Sequence, residues 1–170
     1  MWSERAEEKT KILNKEFYHP SMHQRRSIRL PAYDYASGGA YFVTLCTQQR
    51  HPFFVDEALQ KVLEEAWCAL PHRFVGVTLD EFVIMPNHVH FIIWLHAERE
   101  GTPALGTVIA AYKSITTVTW LRLLKSANRR APGKFWQRNY YEHVLRDEAD
   151  IAQKRASIRN NPAKRNERFP

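Results

Sequence analysis

The sequence predicts an α+β domain, with helices packed on a single antiparallel sheet in the order β-α-β-β-α-β-α. Two runs rich in β-branched and aromatic residues, Ala40 to Gln48 (AYFVTLCTQ) and His88 to Leu95 (HVHFIIWL), have the composition and length of core strands. Between and after them, apolar residues recur at helical spacing. Gly38-Gly39, Pro86-Asn87 and Ala131-Pro132-Gly133 punctuate the runs where the chain has to turn.

Residues 1–24 are polar and charged, and read as a flexible arm ahead of one domain spanning 25–170. Ala40 to Gln48 forms the first strand. Asp56 is placed to cap a helix over 57–72, whose Leu59, Val62, Leu63, Ala66 and Leu70 share one face. Phe74 to Met85 is a second extended stretch, and His88 to Leu95 pairs back on it across Pro86-Asn87. A helix over 104–125 gathers Leu105, Val108, Ile109, Tyr112 and Ile115 on one side. Phe135 to Leu145 reads as the fourth strand. Asp147 caps a last helix, with Glu148 and Asp150 against the positive end of its dipole. That helix is expected to stop near Asn161, because a proline disfavours helical geometry in the residue before it.

A chain of 170 residues with 44% hydrophobic side chains suits one domain with a real core and argues against wholesale disorder. No apolar run reaches the roughly 20 residues that span a bilayer, so no membrane partner is expected. Met1 to Lys15 lacks the apolar core of a secretory signal. The two cysteines, Cys46 and Cys68, are far apart and lack metal-type spacing, which fits a reducing cytoplasm. Lys plus Arg number 25 against 18 acids, a net +7. That surplus favours a polyanionic partner, because each phosphate contact releases condensed counterions.

Alternation along a strand points His88, His90, Ile92 and Trp94 to one face and Val89, Phe91, Ile93 and Leu95 to the other. Both faces are otherwise apolar, as in a central strand covered on two sides. Two imidazoles side by side at one end of such a strand either bond to neighbouring backbone and water or converge on a transition-metal ion. The tripeptide alone does not choose between these.

Its context does bring a resemblance. Pro86-Asn87-His88-Val89-His90-Phe91-Ile92 is similar to the metal-binding strand of HUH single-tyrosine transposases, above all the REP-associated tyrosine transposases and related insertion-sequence transposases. The likeness runs from about Arg25 to Pro162. It takes in Arg26-Ser27-Ile28-Arg29-Leu30-Pro31, Tyr33-Asp34-Tyr35, Gly39-Ala40-Tyr41-Phe42-Val43-Thr44, Lys113-Ser114, Trp136-Gln137-Arg138 with His143 and Arg146, and Asn161-Pro162. The resemblance implies the HUH, ferredoxin-like version of the fold and a protein that cleaves and rejoins single-stranded DNA at hairpins. It implies a divalent metal, Mg2+ or Mn2+, that orients the scissile phosphate, and a helix-borne tyrosine that attacks it. His88 and His90 would bind the metal, with Asn161 as third ligand. Relatives occur as monomers and dimers, and a monomer is the simpler expectation.

One position departs from the pattern. Four residues before Asn161, where the family carries its tyrosine, stands Ser157. Its hydroxyl falls roughly 4 Å short of a tyrosine's by ordinary bond lengths, and it is a far weaker acid than a phenol of pKa about 10. Two readings therefore stand side by side: a metal-assisted DNA-cleaving transposase with its nucleophile position altered, and a non-catalytic hairpin-DNA-binding protein derived from one. A metal-dependent hydrolase is a third, with Asp80 and Glu81 the nearest upstream acids but without zincin spacing. For DNA contact the sequence offers Arg25, Arg26 and Arg29, then Lys154, Arg155, Arg159, Lys164 and Arg165 along the last helix and tail. Trp136, Tyr140 and Tyr141 are candidate stacking platforms, with Trp136 equally readable as a core residue, and Gln137, Arg138, His143 and Arg146 are candidate donors to phosphates or base edges.

Overall fold

Strand-forming and helix-forming segments alternate as the sequence expects: β1 (Gly39–Cys46), α1 (Glu57–Cys68), β2 (Val77–Met85), β3 (His88–Leu95), α2 (Leu105–Ser126), β4 (Tyr141–Leu145) and α3 (Glu148–Arg168). The computed structural model describes residues 38–168, with side chains through 161. The expected arm 1–24, the cations Arg25, Arg26 and Arg29, and the side chains of Lys164 and Arg165 lie outside what it describes. The strands form one antiparallel sheet in the order β2-β3-β1-β4.

The apolar alternation of β3 decides how the sheet is covered. Val89, Phe91, Ile93 and Leu95 are buried with Tyr41, Val43 and Leu45 of β1 beneath α1 and α2. Ile92, with Ala40, Phe42 and Leu145, is buried against Ile151 and Ile158 of α3. The two imidazoles share the parity of Ile92, so they and α3 occupy the same face of the sheet.

Local chemistry explains the boundaries. Asp56 caps α1 by accepting from the amides of Ala58 and Leu59 at 2.9 and 3.3 Å. The helix expected over 57–72 breaks at Ala69 and resumes for one turn, Leu70–Arg73, because Pro71 has no N–H to donate back into α1. Asp147 caps α3, its carboxylate accepting from the Asp150 amide at 2.8 Å. α3 does not stop at Asn161 but continues to Arg168, through Pro162. The proline's bias on its predecessor is a preference of local energy, and a helix already anchored by Ile151 and Ile158 overrides it.

The fourth strand is shorter than expected. Tyr141–Leu145 forms the ladder with β1, while 135–137 makes one isolated antiparallel bridge, Trp136 opposite Thr47, and the Phe135 and Trp136 rings are buried. In β2 a bulge between Leu79 and Phe82 inserts one residue relative to β3. That extra residue puts two consecutive acids, Asp80 and Glu81, within reach of α3, where regular pleating would have sent them to opposite faces.

Candidate metal centre and nucleic-acid interface

His88 and His90 sit at the end of β3 beside the Pro86-Asn87 turn. That turn is held by the 47–54 loop: the Thr47 amide donates to the Asn87 carbonyl at 3.0 Å and the Phe54 amide to the Pro86 carbonyl at 2.9 Å. The Asn87 side chain donates through Nδ2 to the Arg50 carbonyl at 3.3 Å, which turns its Oδ1 toward His88. Oδ1 accepts from His88 Nδ1–H at 2.6 Å, and this tautomer leaves the Nε2 lone pair free. On the neighbouring strand Thr44, the register partner of His90, has its hydroxyl 2.8 Å from His90 Nδ1. The two Nε2 atoms then meet 3.0 Å apart.

Both imidazoles are neutral at pH 7. Burial, then the nearby Arg50 charge, pushes His88 below the usual histidine range. Burial, His88 and Lys154 together lower His90 to about 4. Neutral rings with their Nδ1 atoms engaged by oriented partners are the form in which histidines bind metals. The Thr44 hydroxyl serves either state of the pair. It donates to His90 Nδ1 when a proton bridges the two Nε2 atoms, and accepts from Nδ1–H when both lone pairs are given to a metal. Among the described residues no group of three His, Cys, Asp or Glu gathers.

α3 lies over the same face. Phe42 stacks on His90 with ring centres 5.3 Å apart, and Lys154 Nζ stands 5.2 Å from the Phe42 ring centre on its α3 side. Lys154, Ser157 and Asn161 follow at offsets of three and four, so they share one stripe of α3. Ser157 is exposed and Asn161 half-buried.

Several cations read from the sequence as free for DNA are engaged with carboxylates. Arg155 grips Asp80, Nε to Oδ1 at 3.0 Å and Nη2 to Oδ2 at 2.6 Å, while Trp94 Nε1 donates to the same carboxylate at 2.9 Å. The Arg155 contact holds Asp80 below the usual carboxylate range. Arg159 pairs with Glu81, Nε at 2.8 Å and Nη2 closer still. His143 Nε2 is 2.9 Å from Asp150 Oδ2. These three contacts fasten α3 to β2 and β4, which corrects the reading of Arg155, Arg159 and His143 as residues held ready for phosphate.

Trp136 is a second correction. It is 7% exposed, its Nε1 donates to the buried Thr116 hydroxyl at 2.9 Å, and it lies against Phe54 and Phe135. A ring enclosed in this way offers no face for a base. Gln137 is half-buried, whereas Arg138 and Arg146 are exposed. Tyr141, 50% exposed on the edge strand, is the more open aromatic.

The sequence assigned no role to the residues set by register and loop contact: Thr44, Arg50 and above all Lys113. Lys113 Nζ donates to the carbonyls of Gln137, Arg138 and Asn139 at 2.9, 3.3 and 3.2 Å, and sits 5.5 Å from the Tyr140 ring centre. Burial lowers its ammonium to about 8. Its position in the Lys113-Ser114 pair was legible, but its three acceptors were not.

A family model described as "Transposase IS200 like" matches residues 36–161. The chain belongs to that family. As a transposase-family protein it acts on DNA, and the family's chemistry is divalent-metal-dependent. A Haemophilus influenzae protein of uncharacterized function is 33% identical over 171 residues, covering 85% of this chain and 92% of the relative. A second H. influenzae protein, provisionally named a REP-associated tyrosine transposase, is 27% identical over 136 residues, covering 77% and 74%. The fold of the transposase chain matches a solved REP-associated tyrosine transposase bound to a REP hairpin, with TM-score 0.59, 20% identity, and coverage of 80% of this chain and 73% of that one. The HUH-type βαββαβα architecture expected from the sequence is therefore shared with a member of the family. No helix among the described residues is long and apolar enough to cross a membrane.

Proposed function

We propose that this transposase-family chain binds a DNA hairpin with a single-stranded flank and holds a divalent metal, Mg2+ or Mn2+, between His88, His90 and Asn161, and that it does not cleave the strand. The observation that carries the metal reading is the pair of Nε2 atoms converging to 3.0 Å. In the metal-free pair this is an N–H···N hydrogen bond, and once that proton is lost the same convergence aims both lone pairs at one point. The preference for Mg2+ or Mn2+ rests on the phosphate and water oxygens that a DNA-bound ion would take as its remaining ligands. When bound, the ion supplies charge to polarise a phosphate. Asn87 and Thr44 orient the imidazoles, Lys154 adds a positive charge on the same face, and α3 brings the Asn161 amide along the stripe it shares with Ser157.

Loss of cleavage is argued from Ser157. A serine at the family's nucleophile position reaches roughly 4 Å less far than tyrosine, and no base is bonded to its hydroxyl among the described residues. The test is direct. Mn2+ titration followed by calorimetry should give binding in the wild type and none in His88→Ala or His90→Ala. On a hairpin with a single-stranded flank, the wild type should leave no covalent adduct, and Ser157→Tyr should gain one that denaturing electrophoresis retains. Adduct formation by the wild type, or Mn2+ binding that survives loss of both imidazoles, would overturn this reading.

A further inference from the structure

One long stretch of the chain carries bases and no acids. Between Glu100 and Glu142 the sequence contains no acid and seven bases: Lys113, Arg122, Lys125, Arg129, Arg130, Lys134 and Arg138. The other 18 bases equal the 18 acids in number, so the whole surplus of +7 belongs to this stretch. α3 has six bases to three acids, but its Arg155 and Arg159 are matched by Asp80 and Glu81 of β2.

The fold gathers most of these cations. Arg122 and Lys125 are exposed on the last turns of α2. Asn128 adopts a left-handed conformation (φ 53°), and the Arg129 amide then donates to the Leu124 carbonyl at 2.8 Å. This turn brings Arg129 and Arg130 back beside the helix end, forming a cleft of about 270 Å³ with Leu121, Leu124 and Lys125 on its helix side. That volume lies below the roughly 300–1,000 Å³ of sites that enclose small molecules. Among the described residues none of Arg122, Lys125, Arg129, Arg130 and Lys134 makes an ion pair, and all five are exposed. Uncompensated, exposed cations around a shallow cleft fit a polyanion's backbone rather than an enclosed ligand.

Packed side chains connect the histidine site to the helix of the cleft. Above it on α2, Trp120 stacks on Phe135 (4.7 Å) and on Phe53 (5.4 Å). Phe53 belongs to the 47–54 loop that clamps Asn87 beside the metal site. Arg50, exposed on that loop and close enough to influence His88, lies in the connection between the two. The cleft and the imidazoles are on opposite faces, and the 47–54 loop contacts the elements that carry both.

We infer that the acid-free cleft at the C-terminal end of α2, lined by Lys125, Arg129 and Arg130 with Arg122 exposed one turn earlier on the helix, binds the phosphates of a duplex DNA stem, while the adjoining single strand passes Arg50 to the histidine pair. This rests on the DNA reading above and adds a second site to it. The experiment compares the wild type with a variant carrying Arg122→Gln, Lys125→Gln, Arg129→Gln and Arg130→Gln on two labelled DNAs: a hairpin with a single-stranded flank, and the flank alone. At 0.1 M salt the variant should bind the hairpin at least about tenfold more weakly, with a salt slope smaller by about 2 to 4, and bind the flank as the wild type does. A companion with Lys at the three arginine positions keeps the charge and should bind the hairpin like the wild type, and melting curves check that both fold. An unchanged hairpin affinity and slope overturns the inference, and so does an equal loss on both DNAs. If the wild type itself shows no preference for the hairpin, it is the functional reading that fails.

Discussion

Replacing Thr116 by valine should cost about 2 kcal/mol of stability without opening any cavity. The Thr116 hydroxyl is fully buried, donates to the Tyr112 carbonyl at 2.8 Å and accepts from Trp136 Nε1 at 2.9 Å. Valine matches its shape, so the packing against α2 survives. What is lost is the acceptor for a buried indole N–H, and an orphaned buried donor costs about 1–3 kcal/mol. The Tyr112 carbonyl keeps its partner in the helix ladder and adds little. Thermal unfolding followed by circular dichroism reads the change, expected as a fall in Tm of roughly 4–8 °C. Trp136→Phe removes the donor, and in that background Thr116→Val should cost almost nothing, giving a coupling of about 1–2 kcal/mol in a double-mutant cycle. Because Trp136 is core and not a stacking platform, DNA affinity per folded molecule should be unchanged in all three variants. Stability of Thr116→Val within about 0.3 kcal/mol of wild type would refute the reasoning. So would a Trp136→Phe protein of full stability that binds DNA tenfold more weakly.

Other perturbations reach the site more directly. Asp80→Asn keeps an acceptor for Trp94 but removes the charge that holds Arg155, and should cost about 1–2 kcal/mol at pH 7 in urea unfolding. Asp80 is held below its ordinary 3.8, chiefly by Arg155, so its contribution is complete above that value and is lost as pH falls through the lowered one. Wild type and variant should therefore converge in acid, and a gap that persists there would exclude the ion pair as its cause. Lys113→Met should speed amide exchange around 137–140, because three carbonyls lose their donor. The Lys113 ammonium falls from 10.5 to about 8 on folding, so the unfolded chain binds more protons between those values. Wild-type stability should accordingly rise relative to the variant across that window, and parallel curves would contradict the burial of the amine.

The sequence was legible where the signal is short-range. Period-two alternation in His88–Leu95 correctly gave a central strand with both imidazoles on one face, and Asp56 and Asp147 marked helix starts because a cap is a contact between residues two or three apart. It misled where a distant partner decides. Phe135-Trp136 has the composition of a strand, yet the pull of Trp120, Phe53 and Phe54 takes both rings into the core and shortens β4 to five residues. Pro162 announced an end that the anchored α3 passes through. Arg155 and Arg159 read as free cations because their partners, Asp80 and Glu81, lie 75 and 78 positions away.

What the sequence determined by itself was the order of elements, the face the histidines share, and the segment that holds the surplus charge. Each is fixed by residue type and local spacing. Only the tertiary structure decided which charges remain free, which tautomer His88 adopts, and which aromatic rings a base can reach. Those depend on strand register, on one inserted residue in β2 and on loops meeting at the rim of the sheet, and contacts of that range are made by packing the whole chain at once.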